Sequence, residues 1–305
     1  EHGQSPRAVE ALWELVGGAT LNARPADASL ALAAMVFKTG LLSAPGAADI
    51  GWASVPLGRI HHDAAGAALA RAGAAVRLRS RAVEVTEADP EGGGWSVAVE
   101  SGPSYRERLR ADAVILAVPQ YEAHRLLPKG ALDRPDDLLA IGCAPIFNVH
   151  AVFDRRVLRR PFFTALGTPV QWVFDRTGAS GLTGGGQYLA VSQSAAQDEI
   201  DLPTAELRRR YLPELQRLLP GARSAKVLDF FVTRERTATF APAPGVGRLR
   251  PGPRTRAPGV YLAGAWTNTG WPATMEGAVR SGLHAAREAL AGLGLPAGPG
   301  LETDG

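Results

Sequence analysis

Apolar positions along the chain change period several times. Over residues 5 to 40 they recur at helical spacing, with Ala8, Leu12, Leu15 and Val16 on one face. The pattern resumes over Leu30 to Phe37 after a break at Asn22-Ala23-Arg24-Pro25. A Gly/Ala/Ser-rich connection over 40–54 leads to a third helix predicted from His61 to Ala72, with Gly73 as its C′ glycine. The period then drops to two. Ala75 to Leu78, Ala82 to Val85, Trp95 to Val99 and Arg108 to Arg110 predict a small antiparallel meander, with Glu91-Gly92-Gly93-Gly94 as one of its turns. The run Ala113 to Pro119 is apolar at every position but the last, which predicts a central strand covered by helices on both sides.

Beyond residue 136 the pattern predicts a second sheet, from Phe147 to Phe153, Val170 to Phe174, Tyr188 to Val191 and Val227 to Val232. Between its third and fourth strands, Thr204 to Leu219 carries Leu207, Tyr211, Leu212 and Leu215 on an amphipathic helix that Pro213 is expected to kink or break. After a Pro/Gly/Arg-rich connection from Arg234 to Arg256, the short apolar run Val260 to Ala263 predicts a buried strand. A loop with Trp266 and Trp271 follows, and Pro272 and Thr274 signal the start of a helix over Met275 to Leu290. One face of that helix is small: Gly277, Ala278, Ser281, Gly282, Ala285 and Ala286. Such a face lets another backbone or a flat ligand approach closely. The helix start turns unpaired N–H groups toward whatever lies above the loop, an arrangement suited to an anion or to the electron-rich edge of a reduced flavin.

Composition narrows the class. A chain of 305 residues with 46% apolar and 21% charged residues is globular and has room for about two domains. Of 33 basic residues all but Lys38, Lys129 and Lys226 are Arg, scattered and offset by 30 acidic ones, so the net charge is only +3. Scattered charge argues against a nucleic-acid partner and leaves a mildly basic surface that could meet anionic lipid. Cys143 is the only cysteine, so no internal disulfide forms and a reducing, cytoplasmic compartment is expected. No metal is expected. The adjacent His61 and His62 point to different helix faces, and His2, His124, His150 and His284 are isolated. Ser54, Ser192 and Ser281 lack the surroundings of a nucleophile. There is no G-x-G-x-x-G between a strand and a helix; Gly92-Gly93-Gly94 and Gly184-Gly185-Gly186 read as turns.

Three stretches together resemble the flavin-containing amine oxidase and phytoene desaturase superfamily. They are Leu262 to Gly282, the pair Arg81 to Val85 with Ala113 to Pro119, and Glu1 to Asn22, with Arg236 to Pro242 in support. Within it the resemblance is to the hydroxysqualene dehydroxylase group. It implies an α/β fold with α+β elements: a Rossmann-like FAD-binding domain lacking its N-terminal βαβ unit, interleaved with a substrate domain of mixed sheet plus helices. Residues 1–54 and 123–232 would form the substrate domain, and 55–122 and 233–305 the FAD-binding domain. The resemblance implies that the glycine-rich pyrophosphate loop precedes Glu1, so the chain reads as N-terminally truncated.

The implied cofactor is FAD. Ala82 would lie at its adenine end and Ala117, Val118 and Pro119 beside it. Gly264 and Ala265 would pass the ribityl-phosphate region, and Thr274, Met275 and Glu276 would face the ring. Ala265 departs from the acidic residue common at that place, which removes one polar hold. Trp266 and Trp271 would wall the substrate pocket, and the apolar elements of 5–50 and 145–230 would form a tunnel for a hydrophobic isoprenoid. The implied reaction is reductive dehydroxylation of hydroxysqualene to squalene, with Glu276 as the one candidate acid and peripheral contact with the inner face of the membrane. Alternatives are a phytoene desaturase-like or amine oxidase-like flavoenzyme, and an inactive fragment.

Overall fold

The computed structural model describes residues 3–89, 93–102 and 105–298; Glu1, His2, Glu91 and Gly92, which enter the readings above, lie outside them. The strands are β1 Arg81–Glu87, β2 Trp95–Glu100, β3 Arg106–Ala111, β4 Val114–Leu116, β5 Cys143–Phe153, β6 Phe162–Thr164, β7 Trp172–Asp175, β8 Gln187–Gln193, β9 Val227–Phe240 and β10 Val260–Leu262. The longer helices are α1 Leu30–Leu41, α2 Ala64–Arg71, α3 Gln120–Leu126, α4 Thr204–Leu218 and α5 Met275–Gly292. Two compact units divide the chain, one of residues 1–28, 36–76 and 143–239, the other of 29–35, 77–142 and 240–305.

The first unit is built on a five-stranded sheet in the order β6-β7-β8-β5-β9. Registered pairs place Phe163, Val173, Val191 and Val149 in one row across four of its strands, all on the same side. That side is the core. Val173, Val191 and Val149 are fully buried with Leu207, Tyr211 and Leu215 of α4, and the Tyr211 ring meets Phe147 edge-on at 5.8 Å. Pro213 does not break α4. It sits on the exposed side, where water can satisfy the carbonyl left without a partner one turn earlier. The N-terminal helical run over 6–21 ends at Asn22, whose left-handed backbone (φ 57°) stops the helix. Its buried amide then donates to Ala144 O and Thr239 Oγ1 and accepts from the Ala195 N–H.

The next row lies on the sheet's other side and is aromatic: Phe162 opposite Phe174, Phe174 opposite Ala190, Ala190 opposite His150. Trp172 stacks beside Phe174 at 6.2 Å, and Trp52 meets Phe162 edge-on at 5.5 Å. Both sides of these strands carry rings or branched chains, so the alternation that would distinguish core from surface is absent from the sequence.

In the second unit β1, β2 and β3 form the expected antiparallel meander. Gly93 and Gly94 turn the chain with φ of 68° and 82°. No strand forms at Ala75–Leu78: these residues are exposed, Leu78 by 71%, and Arg77 meets β3 through its side chain on Glu107 and not through the ladder. Gly73 does end α2 with φ 71°. The apolar run at 113–119 yields only a three-residue strand, β4, paired in parallel with β10. Cover on both sides is not seen, for Ile115 is 40% exposed. Helix α5 buries Gly277, Ser281, Ala285 and Ala289, spaced one turn apart: the two alanines pack with Tyr261 and Ala263 at β10, and Ser281 and Gly277 meet the loop that follows the strand. Ala278 and Gly282 are exposed.

Candidate functional site

The segment from β10 to α5 folds its side chains inward. Gly264 has φ 139°, and a Cβ there would stand 2.4 Å from the Trp266 indole nitrogen, so glycine is what lets the indole fold back. Trp266 is 4% exposed, and its indole N–H donates to Val118 O at 2.8 Å, joining the loop to the segment after β4. The Gly264 N–H donates to Ser281 Oγ at 2.7 Å, which ties the loop to α5. The backbone N–H and hydroxyl of Thr267 both donate to Gly264 O at 2.9 Å.

Arg250 holds this loop from beneath. Its guanidinium donates to the carbonyl oxygens of Trp266, Ala265, Trp271 and Thr267, and lies 4.7 Å over the Phe240 ring. Burial lowers its pKa to about 10, so it keeps its charge at neutral pH. This role is not legible in the sequence, since a lone Arg within the Pro/Gly/Arg connection has no diagnostic spacing. One cation converging on four carbonyls fixes the loop backbone more firmly than apolar packing alone.

Helix α5 then starts as expected. Thr274 is the N-cap, its hydroxyl accepting the Gly277 N–H at 3.0 Å. Gly277 admits the Pro272 carbonyl, which a Cβ would meet at 2.8 Å. The N–H groups of Met275 and Glu276 have no carbonyl a turn earlier and carry the positive end of an 18-residue helix dipole.

The structure brings most of the expected site residues together. The indole of Trp266 joins Ala117, Val118 and Pro119 to Gly264 and Ala265, and Ser281 joins that group to the helix opened by Thr274, Met275 and Glu276. Ala82 stands apart on β1, where its carbonyl and that of Val83 accept from Arg125 of α3 at 3.2 and 2.9 Å. The two tryptophans differ. Trp266 is enclosed, whereas Trp271 is half-buried beneath the Arg280 guanidinium at 4.8 Å. Glu276 is half-exposed and its carboxylate is bound to that same Arg280 at 2.7 Å, so it is already engaged.

These residues fit the edge of a flat, electron-rich ring: the backbone is fixed, two N–H groups point outward, and a stacked Trp lies alongside. A pyrophosphate grip is a separate matter. Among the described residues the glycine clusters at Gly93-Gly94 and Gly184-Gly185-Gly186 lead into β2 and β8, and neither opens a helix. No group of three or more His, Cys, Asp or Glu among those residues could hold a metal, and no helix is long and apolar enough to cross a membrane.

The first unit has two cavities of its own. One, about 460 Å³, is ringed by Glu10, Glu14, Arg24, Asp198, Glu199 and Arg210 and is too charged for a hydrocarbon. Of its lining residues, Glu199 accepts from the hydroxyl of the buried Tyr211 at 2.6 Å. The other, about 490 Å³, joins Trp52 to Arg156, Arg159 and Arg160.

Comparison with known proteins places the chain. The model of the flavin containing amine oxidoreductases matches residues 51–290, and the chain belongs to that family. It is 33% identical over 277 residues to the hydroxysqualene dehydroxylase of Sinorhizobium fredii, covering 89% of this chain and 60% of that protein. Against the Rhodopseudomonas palustris hydroxysqualene dehydroxylase the identity is again 33%, over 90% of this chain and 60% of the relative. The chain therefore spans about 60% of the length of these relatives. The 15-cis-phytoene desaturase of Narcissus pseudonarcissus is 28% identical over 70% of the chain and 39% of its own length. Among solved structures, a triple mutant of putrescine oxidase superposes with a TM-score of 0.62 at 17% identity, covering 95% of this chain and 64% of that one. Cyclohexylamine oxidase from Brevibacterium oxydans gives 0.59 at 17%, over 94% and 65%. These two establish the fold, and it is the α/β flavoprotein class expected from the sequence.

Proposed function

We propose that this chain forms the larger part of an FAD-dependent oxidoreductase that removes an allylic hydroxyl from hydroxysqualene to give squalene. The observation that carries the reading is the 33% identity to two hydroxysqualene dehydroxylases over about nine-tenths of the chain, with the loop and helix start at 263–276 inside the matched family region. The weaker match to phytoene desaturases supports the same kind of substrate, a long hydrophobic isoprenoid.

In this reading 55–122 and 233–305 make the flavin side, and 1–54 and 123–232 the substrate side. The N–H groups of Met275 and Glu276 hold the ring edge, and Thr274 keeps them in place by capping the helix. Gly264 and Ala265 run past the ribityl chain, and Ala117, Val118 and Pro119 complete the wall. Arg250 and Trp266 hold the loop from behind, and Ala82 marks the adenine end. Reduced flavin, when bound, supplies the hydride that replaces the departing hydroxyl. Trp271 shields that region from water, and Glu276, bound to Arg280, keeps negative charge at the helix start rather than donating a proton. Peripheral membrane contact is in keeping with the second cavity, where Trp52, exposed by 53%, stands among three arginines suited to an anionic lipid surface.

The test is anaerobic turnover. Protein loaded with FAD and reduced is offered hydroxysqualene, and extracted products are separated by gas chromatography. Squalene is the expected product; a polyene with an added double bond, formed only with oxidised flavin, would favour the desaturase reading. No conversion in either redox state would defeat both.

A further inference from the structure

The open side of the five-stranded sheet carries Phe162, Trp172 and Phe174 on β6 and β7, and Tyr188, Ser192, His150 and Asn148 on β8 and β5. His150, on β5 between β8 and β9, ends the row Phe162, Phe174, Ala190, His150 and is 8% exposed. The Phe231 ring covers it, stacked at 4.5 Å and 15°. Both ring nitrogens are used. The Tyr188 hydroxyl lies 2.7 Å from Nδ1, and the Thr233 hydroxyl 2.9 Å from Nε2. Tyr188 is half-buried; Thr233 is exposed.

Nothing in the fold requires this chain of three polar groups. Cross-strand neighbours on an aromatic sheet face are stable as further apolar side chains, and enclosing an imidazole there costs free energy unless its nitrogens are bonded. What the arrangement provides is a choice of direction. With the proton on Nδ1, His150 donates to Tyr188 and accepts from Thr233. With the proton on Nε2, it donates to Thr233, whose own hydrogen is then free to point outward. The exposed Thr233 hydroxyl can thus donate to or accept from another hydroxyl without any change of charge. A sheet face spanning roughly 15–20 Å across five strands, aromatic on β6 and β7 and carrying this hydroxyl on β9, complements a long hydrocarbon that carries a single alcohol.

We infer that Tyr188, His150 and Thr233 form a hydroxyl-binding notch on the aromatic sheet face, and that its ligand is a long-chain isoprenoid alcohol. Thr233 makes the direct contact. His150 and Tyr188 are positioning residues that set which way the Thr233 hydrogen points. The inference rests on the proposed function for the choice of ligand, but it concerns binding alone and needs no flavin.

The experiment compares equilibrium binding of hydroxysqualene and of squalene, both delivered on cyclodextrin, to the wild-type chain and to Thr233→Val and Tyr188→Phe. Flavin absorbance is recorded on the same samples, so loss of the flavin reading and loss of the notch are seen separately. Val is favoured in a strand at an exposed position, and Tyr188→Phe removes one oxygen, so a thermal melt should show both variants folded. Wild type is expected to prefer the alcohol by about five- to tenfold, the worth of one neutral hydrogen bond. Thr233→Val should bring that preference to within about twofold with squalene affinity unchanged, and Tyr188→Phe should reduce it. Equal affinity for alcohol and hydrocarbon in wild type, or an undiminished preference in Thr233→Val, would overturn the assignment.

Discussion

The loop between β10 and α5 and the open face of the five-stranded sheet use the chain in opposite ways. In the loop the key side chains turn inward: Trp266 is enclosed and Arg250 gathers four carbonyls, which leaves backbone N–H groups available at the start of α5 beside the exposed side chains of Met275 and Glu276. In the sheet the backbone is consumed by the ladder, and the surface consists of side chains, aromatic on β6 and β7 and polar around His150 and its two hydroxyl partners. A surface made of backbone is the same whatever residues carry it, provided the loop holds its path. A surface made of side chains can be altered one residue at a time. The first suits a cofactor shared by a whole family, and the second suits the selection of one substrate among many.

If that contrast holds, substitutions behind the loop should act on stability and flavin together. The largest effect is expected from Arg250→Met, which leaves four carbonyls without their common donor and should cost about 3 kcal/mol or more in a denaturant titration. Gly264→Ala comes next, at about 2–3 kcal/mol, because it meets both a positive φ and the Trp266 indole. A smaller loss, about 1–2 kcal/mol, is expected for Trp266→Phe, which removes the bond to Val118 while filling most of the space.

On the sheet the informative variable is pH. Burial lowers the pKa of His150 below its usual 6.5, so the folded chain resists a proton that the unfolded chain accepts. Well above pH 6.5 both states hold a neutral ring and the effect vanishes; as pH falls below 6.5 stability should fall. Tyr188 and Thr233 face the ring, and Arg176 acts on Tyr188. Melting curves from pH 7.5 to 5.5 should flatten in His150→Gln relative to wild type. The smallest change is expected from Glu276→Gln, less than about 0.5 kcal/mol, since an exposed pair one turn apart contributes little. A large loss of turnover in that variant would return Glu276 to the list of acids.

The two regions also differ in how far they could be read in advance. The loop announced itself through Gly264, Pro272 and Thr274, residues whose conformational preferences act locally, and α5 begins where Thr274 predicts. Arg250 did not, because its role depends on carbonyls fifteen to twenty-one residues further on. On the sheet, His150 looked isolated because its partners lie 38 and 83 residues away and meet it only once the strands pair. The strand expected at Ala75–Leu78 did not form: the segment meets β3 through the Arg77 side chain on Glu107 and stays outside the ladder, which alternation alone does not signal.

The central claim is that backbone N–H groups at the start of α5 hold the flavin, and Met275→Pro tests it with least disturbance. Proline is well accommodated at the first position of a helix, and Thr274 already has the extended backbone (φ −129°, ψ 163°) that a following proline requires. The substitution therefore deletes one N–H and leaves the helix intact. Titration with FAD, followed by flavin absorbance, should show affinity lowered about tenfold while the melting temperature is unchanged. Flavin bound as tightly by Met275→Pro as by wild type would contradict the account.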